Sequence, residues 1–185
     1  MSGAERTVPA RVVLAVLSGV SCAALVFGVA ACGPRAADSM GPGEAGAVAD
    51  PVEPAPWDLA TPEAAVRSYL EWVSFSYRMA NSEIPTATMT PAELVRIDAY
   101  IQLNRTEGKG LEQTLESIET SVASEDATNA VVTAREAWSY RYFSLESLEY
   151  LTDIARESYE ATYTLVREPA GWLVDRVEAS ALTGE

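Results

Sequence analysis

Glu136 is the residue whose type and setting come nearest to chemistry. It lies in Arg135-Glu136-Ala137-Trp138-Ser139-Tyr140-Arg141-Tyr142, where alternation predicts a strand and puts Glu136 on the same face as Trp138. A desolvated carboxylate with a raised pKa could act as a general base, with a tyrosine hydroxyl as proton donor. Tyr69, Tyr77, Tyr140, Tyr142, Tyr159 and Tyr163 could supply that hydroxyl. The plainer reading places Glu136 at a strand edge or against an arginine. The aromatic set Trp138, Tyr140, Tyr142, Tyr159, Tyr163 and Trp172 admits three roles. It could fill a core, line an apolar pocket, or form an exposed patch for a protein partner.

Much other chemistry lacks its residues. The chain has no histidine, hence no Ser-His or Cys-His pair and no imidazole metal ligand. No glycine-rich phosphate loop occurs. Glu112, Glu116, Glu119, Glu125 and Asp126 lack the alternating Asp/Asn pattern and glycine turn of a calcium loop, so they read as a solvated face. No metal and no cofactor are expected. Asn104-Arg105-Thr106 matches a glycosylation sequon, a pattern short enough to arise by chance.

The two cysteines are Cys22 and Cys32. A basic start with Arg6 and Arg11 leads into an apolar run from Val12, uncharged until Arg35. This is the layout of a secretory signal. Its end, Val29-Ala30-Ala31-Cys32, resembles the lipobox of bacterial lipoproteins. The resemblance implies cleavage before Cys32, which would carry the lipid. An uncleaved membrane span over residues 12–31 and an ordinary signal cut elsewhere are the alternatives. Gly19-Val20-Ser21 lacks the large aliphatic residue, so Cys22 reads as part of the apolar region. The expected segments are a signal peptide (1–31), a lipidated cysteine with a Pro/Gly/Ala-rich disordered tether (32–60), and one domain (61–182).

The net charge is -14. The signal segment carries Glu5, Arg6 and Arg11, so the mature chain is near -15. That charge excludes a basic nucleic-acid footprint and a surface that hugs anionic lipid. With Cys32 lipidated, no disulfide within the mature chain is possible, and the domain rests on its hydrophobic core.

Thr61-Pro62-Glu63 is a helix start: a capping hydroxyl, proline at the first position, an acid in the first turn. Val66, Leu70, Val73 and Tyr77 continue it to about Ala80. Thr90-Pro91-Ala92-Glu93 repeats the signal, and Leu94, Ile97 and Ile101 carry a second helix that ends before Gly108. Leu111, Leu115, Ile118 and Val122 fit a helix, while Glu116-Ile118-Thr120-Val122 fits a strand. The crowding of Ser, Thr and Ile favours a strand from about Leu115 to Ser124. Further strands are expected over 130–143, 158–167 and 172–179, the last two joined as a hairpin through Pro169-Ala170-Gly171. Residues 144–154 read as a loop or short helix. Helices first and strands after predict an α+β domain with an antiparallel sheet.

The pieces Ala130-Val-Val-Thr-Ala-Arg135-Glu-Ala-Trp138, Tyr159-Glu-Ala-Thr-Tyr163-Thr-Leu165-Val-Arg167 and Gly171-Trp172-Leu173-Val174-Asp175 resemble strands of the nuclear transport factor 2-like family. Within it they resemble the intermembrane-space domain of a chloroplast-division protein. The resemblance covers about residues 61–182. It implies helices packed on a curved antiparallel sheet, a cystatin-like cone. It implies no single reaction, since such folds hold enzymes, ligand binders and partner-binding modules. The expectation is a lipid-anchored extracytoplasmic protein of a bacterial membrane. It would be a non-catalytic accessory module that binds a protein partner or associates with itself. Binding of a small apolar ligand in the cone is the alternative, and an isomerase-like or dehydratase-like enzyme follows.

Overall fold

The computed structural model describes residues 48–182. The expected signal peptide, Cys32 and the tether as far as residue 47 lie outside the described residues. Helix α1 spans Pro62–Met79 and helix α2 spans Pro91–Thr106. Strands β1 (Lys109–Glu125), β2 (Asn129–Ser144), β3 (Ala155–Glu168) and β4 (Gly171–Ala181) form one antiparallel sheet in the order β1-β2-β3-β4.

Both helices begin where the sequence signals them. The Thr61 side chain accepts the Ala64 amide at 3.2 Å and the Thr90 side chain accepts the Glu93 amide at 3.4 Å, each followed by proline in the first turn. Tyr69 meets Glu93, and further along both helices Tyr77 meets Tyr100. The helices therefore lie side by side in the same direction. Residues 80–90 carry the chain back between them, held to β4 where the Thr90 amide donates to the Val174 carbonyl at 2.9 Å.

The helix-like spacing of Leu111, Leu115, Ile118 and Val122 has a strand explanation. The pairing of β1 with β2 shifts between Leu115 and Ser117. A bulge inserts one residue and so reverses which parity faces the core. Leu111, Gln113 and Leu115 face inward before it, and Ile118, Thr120 and Val122 after it. The strand also starts six residues earlier than the expected Leu115. Gly108, at φ +69°, ends α2, and Gly110 leaves room for the Phe143 ring to cross the first pairs.

The core lies between the helices and the inner sheet face. Val66, Tyr69 and Val73 of α1 and Ile97 and Ile101 of α2 pack against Val132, Ala134, Tyr163, Leu165, Trp172 and Val174. The opposite sheet face is polar: Glu119, Arg135 and Glu160 stand in one row, Ser121, Thr133 and Thr162 in the next. Residues 48–60, within the expected tether, lie along α1. Leu59 is buried in the core, and its carbonyl accepts the Trp172 amide at 2.9 Å. No helix among the described residues is long and apolar enough to cross a membrane.

Candidate functional site

Strand β2 sets Glu136 in the middle of the inner sheet face, opposite Ile118 on β1 and Tyr159 on β3. The side chain is 5% exposed. One carboxylate oxygen accepts the Tyr163 hydroxyl, and the other accepts the Trp138 indole N–H at 2.8 Å. Neither plainer expectation holds: Glu136 lies on an inner strand, and among the described residues no arginine pairs with it. Its partners come from its own strand and the next.

A second carboxylate lies buried near the same core. Glu93, in the first turn of α2, accepts the Tyr69 hydroxyl at 2.9 Å and pairs with Arg96. Tyr69 and Tyr163 then meet edge to face with centroids 6.2 Å apart. The result is a continuous chain through the core: Trp138, Glu136, Tyr163, Tyr69, Glu93, Arg96. Burial above all, then the neighbouring carboxylates, pushes both tyrosine hydroxyls well above their ordinary pKa. They stay protonated and keep donating.

Burial also holds the Glu93 carboxyl above its ordinary value, against the opposing pulls of Tyr69 and Arg96. Between the two values the folded chain keeps a proton that the unfolded chain has lost. Stability therefore falls as pH rises through that window and recovers as pH drops back. Glu93→Gln should flatten this slope, read as urea midpoints between about pH 4 and pH 7. An unchanged slope would assign the effect to another group.

Glu136, Tyr163 and Trp138 are all buried. Two grooves lie elsewhere and open to solvent. One, of about 450 Å³, runs over the outer sheet face between Glu119, Arg135 and Glu160. The other, of about 490 Å³, lies between Trp57–Ala60 and the β3–β4 turn. Both oxygens of the Glu136 carboxylate are taken by donors of its own chain. Among the described residues, no group of three or more acids or cysteines is placed to hold a metal ion.

The aromatic set divides. Trp138, Tyr163 and Trp172 are core. Tyr140, Tyr142 and Tyr159 are half-buried at one end of the cone and join two tyrosines from the helices. The Tyr100 and Tyr142 hydroxyls are 3.0 Å apart, Tyr77 tilts on Tyr100 with centroids 5.1 Å apart, and Tyr140 and Tyr142 meet edge to face at 6.5 Å. Tyr159 donates to Glu157, which also lies against Tyr140. Burial raises the pKa of Tyr77, Tyr100, Tyr140 and Tyr159, so all four keep their protons.

The 144–154 loop borders this cluster. The Leu151 amide donates to the Tyr142 carbonyl at 2.8 Å, and the Tyr142 amide to the Thr152 hydroxyl at 2.9 Å. Leu148, Leu151 and Ile154 stand about half exposed on it. Leu148 holds a φ of +55°, the left-handed region that a bulky side chain disfavours. Sequence reasoning missed Tyr100 and this aliphatic rim. The helical spacing from Ile97 to Tyr100 was the available signal for the first; nothing local marks the second.

No family model matches this chain, and no curated protein matches it in sequence. Among solved structures, the intermembrane space region of chloroplast protein ARC6 is similar, with TM-score 0.52 and 20% identity, covering 68% of this chain and 98% of that one. A ketosteroid isomerase-like protein from Erwinia carotovora follows at TM-score 0.45 and 19% identity, covering 68% and 97%. A nuclear transport factor 2-like superfamily protein from Salmonella enterica stands at TM-score 0.46 and 10% identity, covering 64% and 89%. Two N-terminal helices on a four-stranded antiparallel sheet, together with the first of these likenesses, establish the nuclear transport factor 2-like, cystatin-like fold.

Proposed function

We propose that this chain is a non-catalytic module, lipid-anchored through Cys32 on the extracytoplasmic face of a bacterial membrane, that binds a protein partner through its tyrosine surface. The observation that carries the reading is the connected cluster Tyr77, Tyr100, Tyr140, Tyr142 and Tyr159, with the loop of exposed Leu151 bonded to Tyr142 through the backbone. Half-buried tyrosines held by their neighbours offer large contact area with little entropy left to lose, and aromatic residues dominate binding hot spots. The polar outer sheet face lacks such anchors.

A photo-crosslinking side chain at Tyr140, in the full chain in cells, should give a discrete adduct that one at Thr133 on the outer face does not. Tyr142→Ala should reduce that adduct at least tenfold with a melting temperature close to that of the parent. Equal adducts from both positions, or an adduct indifferent to Tyr142→Ala, would sink the tyrosine surface as the partner site.

The anchor has its own test. Cys32→Ala should abolish incorporation of labelled fatty acid, and Cys22→Ala should leave it intact, because the aliphatic-small-small pattern precedes Cys32 alone. Undiminished labelling in Cys32→Ala would refute the assignment. The second reading is a proton-transfer enzyme, supported by a buried carboxylate holding a tyrosine hydroxyl at Glu136. That role requires a substrate to reach a carboxylate that is 5% exposed.

A further inference from the structure

Residues 48–60 form a strap that determines where the chain enters the domain. The Asp58 amide donates to the Ser68 hydroxyl at 2.8 Å. The Trp72 indole N–H donates to the Ala55 carbonyl at 3.1 Å, and Trp57 stacks edge-on against Trp72 with centroids 5.4 Å apart. Further back, Arg78 donates to the Ala49 carbonyl, and the Val48 amide donates to the Leu148 carbonyl at 3.1 Å. Partners on α1 advance from 68 to 72 to 78 while those on the strap retreat from 58 to 55 to 49. The strap therefore runs antiparallel to α1 over most of its length, about 25 Å at 1.5 Å per residue.

Two consequences follow for an anchor at Cys32. The chain left between the lipid and the domain is residues 33–47, about 15 residues that can reach at most ~50 Å, instead of 33–60, about 28 residues that could reach ~95 Å. The point of attachment also moves to the other end of α1. Without the strap it would sit at Thr61, beside Trp172 and the β3–β4 turn. With the strap it sits at Val48, bonded to the loop whose next residues border Tyr142.

We infer that the strap turns the tyrosine surface towards the membrane, and that the partner is a protein resident in that same membrane. This rests on the Cys32 anchor and on the partner surface proposed above. The short remaining chain keeps that end of the domain within reach of the bilayer surface. The lipid itself is a poor occupant, because Glu146, Glu149 and Asp153 on the same loop meet anionic head groups with like charge.

The test uses the full-length lipidated protein in zwitterionic phosphatidylcholine vesicles, whose head groups do not repel the acidic loop. Cys32 carries the lipid, so a single new thiol takes a polarity-sensitive donor dye, with an acceptor on the lipid head groups. Energy transfer should be at least twofold greater from Leu151→Cys than from Ala170→Cys in the β3–β4 turn. Replacing residues 48–56 by Gly/Ser of equal length should abolish or invert that difference. Equal transfer from both sites in the natural sequence, or more from Ala170→Cys, would overturn the orientation while leaving the partner surface standing.

A blue shift of the Leu151 dye on vesicles would make lipid the occupant and overturn the protein partner. Mass measurement showing no lipid at Cys32 would overturn the anchor and the orientation together. A Tyr140 crosslink should stay with the membranes after a protease site inserted beside Met40 has cut the domain from its lipid. An adduct released into solution by that cut would overturn a membrane-resident partner.

Discussion

Trp172→Ala is expected to cost the domain about 4 kcal/mol, the level seen when large aromatic side chains are removed from packed cores. Trp172 is 1% exposed and is the largest fully buried side chain. It is the second residue of β4, after Gly171, whose φ of +130° and whose approach to Leu59 leave no room for a side chain; a Cβ there would lie 2.5 Å from the Leu59 carbonyl oxygen. The indole thus joins the strap, the hairpin and the helix layer at one point. For a domain of this size that loss is about 10–15 °C of melting temperature, a large share of the ~5–15 kcal/mol that holds such domains folded. Trp172→Phe should cost much less. The indole N–H has no hydrogen-bond partner among the described residues, so phenylalanine gives up volume and no bond. Thermal and urea unfolding of both variants decide the point. A melt of Trp172→Ala within a degree or two of the parent would show that this side chain is not core.

Glu136→Ala should be nearly as damaging, about 3 kcal/mol, for a different reason. It strands two buried donors, the Tyr163 hydroxyl and the Trp138 indole N–H, at roughly 1–3 kcal/mol each. Glu136→Gln is the informative companion. Its carbonyl oxygen can take the indole N–H while its NH₂ donates to the Tyr163 oxygen, which can accept as well as donate. That variant should lose about 1 kcal/mol. A cycle with Tyr163→Phe should show coupling between residues 136 and 163, as groups sharing a buried bond do. If Glu136→Ala unfolds within about 0.5 kcal/mol of the parent, its bonds do not hold the core. The carboxylate would then be free for a substrate, and the enzyme reading would regain its footing.

Local signals were legible where the chemistry is local. A capping threonine followed by proline needs only a few residues to act, and both helices start on it. The alternation of β2 and the Pro-Ala-Gly turn before β4 read correctly because period and turn geometry belong to neighbouring residues. Glu116 shows the limit. It sits in the bulge that changes the parity of β1, and bulges are set by the partner strand, so the pattern along β1 alone mimicked a helix. Glu93 shows it again: its sequence marks a first-turn acid, while its burial depends on a tyrosine from the other helix. Residues 48–60 look too polar and proline-rich to order themselves. They pack because Trp72 presents an N–H and an aromatic edge along α1.

Composition and short-range pattern by themselves determined the two helices and the last three strands, the α+β class, the acidic charge, and the absence of any histidine-based chemistry. They also singled out Glu136 and its neighbouring aromatics as the residues to watch. Only the tertiary structure decided what those residues do. It spent Trp138, Tyr163 and Glu136 on one another inside the core. It gathered Tyr140, Tyr142 and Tyr159 with Tyr77 and Tyr100 into a surface, and led the strap back to that same end. The physical reason is range: caps, turns and strand alternation are set within a few residues, while burial and hydrogen-bond partnership are set by whichever distant segment packs against them.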